Sequence, residues 1–139
     1  MDLEETLAEI VAERAIERLK IEYCYAIDEK RCDDFVDLFT DDATIDYATR
    51  DTYRGREEIR EFIETHVTEA DRMAHTALNP RLIVDGDTAV GTWYGIVLIS
   101  IDETTALFGQ GKYDETYRRT TDGWKIASLA TESRFSTEL

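Results

Sequence analysis

The sequence predicts an α+β fold, a cone-shaped α+β barrel in which a bent, mostly antiparallel sheet wraps around a long N-terminal helix and encloses a pocket. Over the first thirty residues, apolar side chains recur at steps of three and four, which is the spacing of one apolar stripe on a helix. From Met73 onward the pattern is that of strands separated by tight turns. Helices gathered before antiparallel strands are typical of the α+β class.

The first half of the chain predicts three helices and one strand. After the long helix, a short second helix is expected around residues 33–39, where Asp33 can cap it. Thr44 to Tyr47 predicts a short strand with Asp46 and Tyr47 on opposite faces. Gly55 ends the following loop, and a third helix is expected from about Arg56 to Thr68.

The second half predicts a four-stranded meander. Asp85-Gly86 is a strong hairpin signal, and Asp122-Gly123 is a second tight turn before the last strand. The strand from Thr88 to Ile101 is apolar on both faces, so both faces must be covered. Gly91 and Gly95 share one of these faces and permit the sheet to bend sharply there. A bent sheet with a helix laid across it forms a cone whose interior suits a small molecule.

Length and composition predict one domain spanning residues 1–139. The 139 residues contain no repeat, low-complexity stretch or linker. No apolar run approaches the length that crosses a bilayer, and the acidic start lacks the basic and apolar segments of a signal peptide. We therefore expect a cytoplasmic protein. Cys24 and Cys32 are expected to be thiols, and no Cys/His cluster predicts a metal site.

The formal net charge of −15 excludes two classes of partner. Such a surface repels phosphate backbones and anionic lipid, so we expect neither nucleic acid nor membrane as a partner. Acidic residues are spread along the whole chain, which fits either simple solubility or adaptation to high salt.

Four segments, taken in order, resemble the SnoaL-like branch of the nuclear transport factor 2-like superfamily: AIDEKRCDDFVDLFTDDATIDY, YRGREEIREFI, HTALNPRLIVDGDTAVGTWY and GKYDETYRRTTDGWKI. The sequence looks closest to the group that holds scytalone dehydratase and hexachlorocyclohexane dehydrochlorinase. This resemblance places Asp28 and His75 at the positions of an active-site aspartate and histidine, and Tyr47 at that of a pocket tyrosine. It implies small-molecule chemistry and a homo-oligomer, either trimer or dimer.

Three departures from that group bear on the substrate. Ile27 stands where the dehydratase has a second active-site tyrosine, and the GKYDETY strand has no histidine. Leu129 stands where the dehydrochlorinase has an arginine. The resemblance therefore extends to the aspartate and histidine, and does not extend to the particular substrates.

These residue types suit proton transfer without a metal or cofactor. A neutral histidine such as His75 can accept a proton from an acidic C–H or O–H bond. A carboxylate on its other ring nitrogen, here that of Asp28, selects the tautomer and stabilises the imidazolium. A tyrosine such as Tyr47 or Tyr25 could donate a hydrogen bond to a developing oxyanion.

The remaining candidates have structural alternatives. Tyr25, Trp93 and Tyr113 could line the pocket or belong to the core. Asn79 shares strand parity with His75 and could face the same cavity, or it could cap the turn at Pro80. His66 follows Phe62 on the apolar side of its helix and is interpreted as a packing or interface residue.

The sequence leaves three functions open. The first is a cofactor-free lyase or isomerase that acts on a small apolar molecule. The second is a non-catalytic ligand-binding module, and the third is an accessory subunit resembling the small subunit of ring-hydroxylating dioxygenases. Contact between Asp28 and His75 inside a pocket would favour the enzyme. The exposed apolar face of the long strand would suit a subunit interface.

Overall fold

The computed structural model describes residues 2–48 and 50–139; Met1 and Thr49, which the predicted 1–139 domain includes, lie outside the described residues. Three α-helices are present: α1 (Leu3–Asp28), α2 (Cys32–Asp37) and α3 (Gly55–Phe62), which continues as a π-helical turn (Ile63–Val67). The six strands are β1 (Phe39–Asp46), β2 (Thr52–Arg54), β3 (Met73–Asp85), β4 (Thr88–Ser100), β5 (Ala106–Thr120) and β6 (Gly123–Glu138).

The six strands form one curved sheet in the order β2-β1-β6-β5-β4-β3. Strand β1 pairs parallel with β6, and the remaining pairs are antiparallel. Within the described residues the sheet is unclosed, with β2 and β3 at its edges. The predicted α+β class, with a bent sheet around a long first helix, is confirmed.

Helix α1 is defined by a strong N-terminal cap and one buried stripe. Asp2 accepts from the backbone N–H of Glu5, and Glu5 accepts from that of Asp2, which together form a capping box. The buried stripe packs into the concave side of the sheet, and its members are Ala12, Ile16, Leu19, Lys20, Tyr23, Cys24, Ala26 and Ile27. No helix in the described part of the chain is long and apolar enough to cross a membrane.

The elements around β1 differ in detail from those predicted. Strand β1 begins at Phe39, so the second helix ends at Asp37, two residues earlier than expected. Strand β2 was not predicted, since three partly exposed residues show no clear alternation. The third helix changes to π-helical geometry at Ile63, and such π turns often occur at functional sites.

Two irregularities in the sheet affect the pocket. Asn79 has a left-handed φ of 52° within a register shift of β3 against β4, so the predicted turn at Pro80 is a bulge inside one strand. A second shift lies between Gln110 and Gly111 of β5 against β6. At Gly111 a Cβ atom would collide with the carbonyl oxygen of Glu132, so close backbone approach requires glycine there.

Candidate active site

The inner face of the sheet and the C-terminal part of α1 enclose a cavity of about 400 Å³. This volume lies within the range of small-molecule sites. The lining is largely apolar, with polar groups at a few points. The side chains that give the cavity its chemistry are Tyr23, Tyr47, Arg50, His66, His75, Gln110, Tyr113 and Thr131.

Asp28 and His75 are in direct contact at the edge of this cavity. Asp28 is the last residue of α1, and His75 is the third residue of β3. The Asp28 carboxylate accepts from the backbone N–H of His75 at 2.8 Å and lies 2.7 Å from its ring Nδ1. Their side chains are 22% and 11% exposed, respectively.

This contact determines which ring nitrogen is available. An ionised Asp28 can only accept hydrogen bonds, so Nδ1 of His75 carries the hydrogen in the contact. In a neutral ring with this tautomer, the other nitrogen, Nε2, is the acceptor, which is the form that a general base requires. Because His75 lines the cavity, a bound molecule can reach its side chain.

Tyr47 lies on the cavity wall, where its hydroxyl is 2.7 Å from that of Tyr23. Tyr47 follows β1, with Ile45 buried on the same face and Asp46 exposed on the other, as the alternation predicts. Burial raises the pKa of both phenols, so both remain protonated donors at neutral pH. The Tyr47 ring packs against Phe62 at a centroid distance of 5.0 Å.

A buried ion pair lies beneath the cavity. Lys20 Nζ is 2.5 Å from Glu115 Oε2, and both side chains are fully buried. Glu115 also accepts from the Tyr117 hydroxyl at 2.6 Å, and Trp93 donates to that hydroxyl at 3.0 Å. This pair was not predicted from the sequence. The sequence nevertheless indicates that Lys20 is buried, because it falls on the apolar stripe of α1 four residues after Ile16.

The structure brings some predicted pocket residues to the cavity and places others elsewhere. Tyr113 lines the cavity, whereas Trp93 is buried with Tyr117 as its hydrogen-bond partner. Tyr25 is 58% exposed, because two residues turn it about 200° around α1 from Tyr23. Asn79 is also exposed, because the bulge breaks the alternation that would have turned it inward. Tyr25, Trp93 and Asn79 are therefore absent from the cavity lining, contrary to the prediction.

The cavity lining also contains polar residues that had not been predicted, and they include Arg50, His66 and Gln110. His66 had been interpreted as a packing residue, and its ring does lie 6.0 Å from that of Phe62. The π-helical turn also brings it to the cavity wall, which a regular helical periodicity does not reveal. Arg50 follows β1 by four residues in an irregular segment, so no strand pattern indicated its direction.

Two positions at which this chain differs from scytalone dehydratase or hexachlorocyclohexane dehydrochlorinase hold apolar residues. Ile27 is buried and lines the cavity beside Asp28. Leu129 is buried opposite Glu115 in the pairing of β5 with β6.

Both Cys24 and Cys32 are free thiols, as expected. Across residues 2–48 and 50–139, no three His, Cys, Asp or Glu side chains are grouped so that they could hold a metal ion.

The fold and cavity define a protein of the nuclear transport factor 2-like class, and comparison with known proteins specifies the family. The sequence model of the SnoaL-like domain matches residues 8–130, so the chain belongs to the SnoaL-like family. It is 34% identical over 124 residues to an uncharacterized protein of Mycobacterium tuberculosis (strain ATCC 25618 / H37Rv). That match covers 87% of this chain and 84% of the relative.

Solved structures show the same fold. A candidate aromatic ring hydroxylase from Novosphingobium aromaticivorans is 28% identical, with a TM-score of 0.87 over 94% of each chain. A type 2 hexachlorocyclohexane dehydrochlorinase is 20% identical, with a TM-score of 0.89 over 96% of this chain and 93% of that one. A candidate scytalone dehydratase from Novosphingobium aromaticivorans is 21% identical, with a TM-score of 0.88 over 95% and 90%.

Proposed function

We propose that this protein is a cofactor-independent lyase or isomerase that removes a proton from a small, mostly apolar substrate. The observation that carries the proposal is the 2.7 Å contact between Asp28 and Nδ1 of His75 at the cavity wall. It leaves Nε2 free to act as the base. The apolar lining and the volume of about 400 Å³ suit a substrate of one or two rings.

The proposed reaction begins with proton transfer. Nε2 of His75 takes a proton from an acidic C–H bond, and the electron pair of that bond moves into the substrate. Asp28 stabilises the resulting imidazolium without taking a proton itself. Tyr47, which stays protonated, donates a hydrogen bond to an oxygen on which negative charge develops.

Two outcomes can follow from this intermediate. In an elimination, the electron pair expels a leaving group from the adjacent carbon, and the proton on His75 is released to that group or to water. In an isomerisation, His75 returns the proton to a different carbon of the same molecule. Both outcomes consume no oxidant or reductant, and both restore neutral His75.

The alternative function is a non-catalytic binding module or accessory subunit. One observation is consistent with it: Asp28 accepts from the backbone N–H of His75, a contact that needs no catalysis to account for it. In this alternative the cavity would hold a ligand, and the contact between Asp28 and His75 would serve only to join α1 to β3. Ligand binding without proton transfer would distinguish it from the enzyme.

Hydrogen–deuterium exchange tests the proposed proton transfer before the natural substrate is known. The protein is incubated in D₂O with a panel of small cyclic ketones, beginning with 1-tetralone, and exchange next to the carbonyl is followed by proton NMR. Wild type should accelerate exchange, and His75→Ala should abolish the acceleration. Thr76→Ala is the matched control, because it changes the next residue of β3, which is exposed and outside the cavity lining, and should retain most of the rate.

Binding is measured on the same panel by thermal shift. A ketone that stabilises wild type but exchanges no faster than in buffer would contradict the enzyme and favour the binding module. Exchange that persists in His75→Ala would show that another group is the base.

A further inference from the structure

The buried ion pair and the cavity tyrosines are parts of one connected network. Lys20 Nζ lies 4.0 Å from the ring centroid of Tyr23 and 3.4 Å from that of Tyr113, so it contacts both rings through their π faces. The Tyr23 hydroxyl in turn contacts that of Tyr47. All three tyrosines line the cavity, whereas the carboxylate partner Glu115 does not border it within the described residues.

Stability alone does not account for this ion pair. Removing two charges from water costs several kcal/mol for each ion, and apolar residues of similar volume fill such a space at least as favourably. Lys20 and Glu115 are both fully buried, so they bear this cost in full. We therefore look for the role of the pair in the electrostatic effect of its charges on the neighbouring side chains.

The ion pair is oriented with its positive end toward the cavity. The second oxygen of Glu115 accepts from Tyr117, on the side of the network that includes Trp93. Lys20 lies on the other side, against the two rings that form part of the cavity wall. A positive charge on the face of a phenol ring favours negative charge on its oxygen and strengthens the hydroxyl as a donor.

The direction of the hydrogen bond between Tyr23 and Tyr47 decides what Tyr47 offers to the cavity. Tyr23 is fully buried, and its hydroxyl contacts that of Tyr47. If Tyr23 donates in that contact, the hydroxyl hydrogen of Tyr47 is free to point into the cavity. A hydroxyl that accepts one hydrogen bond becomes a better donor of the next.

We propose that Lys20 is a positioning residue that polarises the Tyr23–Tyr47 pair, so that Tyr47 presents a strengthened donor to an oxyanion in the cavity. This inference rests on the proposed function and specifies its substrate class. The substrate carries a carbonyl next to the acidic C–H bond, and its deprotonation gives an enolate. A substrate that loses only a halide develops no such oxygen charge, so the network would have nothing to act on.

The test compares binding of 4-nitrophenolate, an oxyanion of fitting size, with that of nitrobenzene, its uncharged counterpart. The key variant is Lys20→Met combined with Glu115→Gln, which removes one charge of each sign and leaves the net charge unchanged. It should weaken 4-nitrophenolate binding by about tenfold or more, the size of one hydrogen bond to a charged group. Nitrobenzene binding should be unchanged.

A second variant covers the case in which the double variant does not fold. Tyr23→Phe keeps the ring and removes only the hydroxyl that contacts Tyr47, and it should cause the same selective loss. Equal weakening for both ligands would show a merely structural role and overturn the inference. It would also be overturned if wild type did not prefer the anion, or if both variants kept the wild-type preference.

The result can be separated from the outcome of the exchange experiment. The exchange rate measures proton removal by His75, whereas the preference for 4-nitrophenolate measures hydrogen-bond donation by Tyr47. A wild type that shows the anion preference but no exchange would refute the proposed base while leaving the oxyanion site intact. Exchange without an anion preference would refute only the role of Lys20.

Discussion

The carboxylate of Asp28 holds His75 at two points, the backbone N–H and the ring Nδ1, at 2.8 and 2.7 Å. The first contact joins the end of α1 to the start of β3, and the second orients the imidazole. One side chain thus performs a folding task and orients the group that we propose as the base. A substitution can separate the two tasks.

Asp28→Asn should slow exchange of the ketone by about 10²- to 10⁴-fold, the usual contribution of a positioned base. The remaining amide oxygen can still accept from the backbone N–H of His75, so the fold should persist. The amide cannot stabilise an imidazolium as the carboxylate does. The rate is measured by NMR and the fold by circular dichroism. Glu29→Gln, an adjacent acid, should behave as wild type; a wild-type rate in Asp28→Asn would contradict the mechanism.

Lys20→Met alone should lower the free energy of unfolding by about 3–5 kcal/mol, because it leaves the Glu115 carboxylate buried and unpaired. Adding Glu115→Gln should recover most of this loss, since no buried charge then remains. Urea titrations of wild type and the single and double variants measure the difference. Equal stability of the single and double variants would show that the two charges are not coupled.

Alkaline pH should destabilise the protein. Burial raises the pKa of the Cys24 thiol to about 11 and also raises the pKa of four tyrosines: Tyr23, Tyr47, Tyr113 and Tyr117. Above about pH 9 the unfolded chain therefore binds fewer protons than the native protein, and stability falls as pH rises. Burial lowers the pKa of Lys20, and this change by itself would make stability rise with pH over part of this range. It is one group, whereas five groups act in the destabilising direction.

The measurement is a pair of urea titrations at about pH 8 and about pH 10, with tyrosinate absorbance recorded in parallel. The buried phenols should ionise together with unfolding. Tyr94 should ionise earlier, since it is partly exposed and the Arg134 guanidinium lowers its pKa. Ionisation of all tyrosines in a folded protein would contradict the burial described for the network.

Gly111→Ala should destabilise the protein by about 1–3 kcal/mol, the usual cost of overpacking. The added Cβ would meet the backbone carbonyl of Glu132, which cannot move without breaking the β5–β6 pairing. Gly109→Ala is the control, because its nearest obstacle is a side-chain methyl group of Val97 at 3.1 Å, which can shift. Thermal unfolding distinguishes them; equal losses would argue against a special requirement at Gly111.

We expect a homo-oligomer formed through the outer face of the sheet. Exposed apolar side chains gather there on three strands, and they include Leu78, Tyr94, Leu98 and Phe135. Leu98→Glu should convert a trimer or dimer to a monomer, as measured by light scattering after size exclusion. Val11→Glu, an exposed apolar position on α1, should leave the oligomer intact. A monomeric wild type would contradict this expectation.

Local periodicity was sufficient for most elements of the fold. The turns at Gly86 and Gly123 lie where the pattern placed them, and the α1 stripe is buried as predicted from Ile16 onward. Its first members, Leu3, Leu7, Ile10 and Val11, are exposed instead. Asp28, His75, Tyr47 and Tyr113 were recognised as site candidates, and they meet at or beside one cavity.

What the sequence determined by itself was the α+β class and the long first helix, and the family resemblance added Asp28 and His75 as site candidates. Only the tertiary structure decided that Asn79 faces outward, that His66 reaches the cavity, and that Lys20 meets Glu115 95 residues away. These outcomes depend on a bulge, on a π turn and on the packing of α1 against the sheet. Each is set by packing between distant segments, and such packing has no local period for a sequence pattern to record.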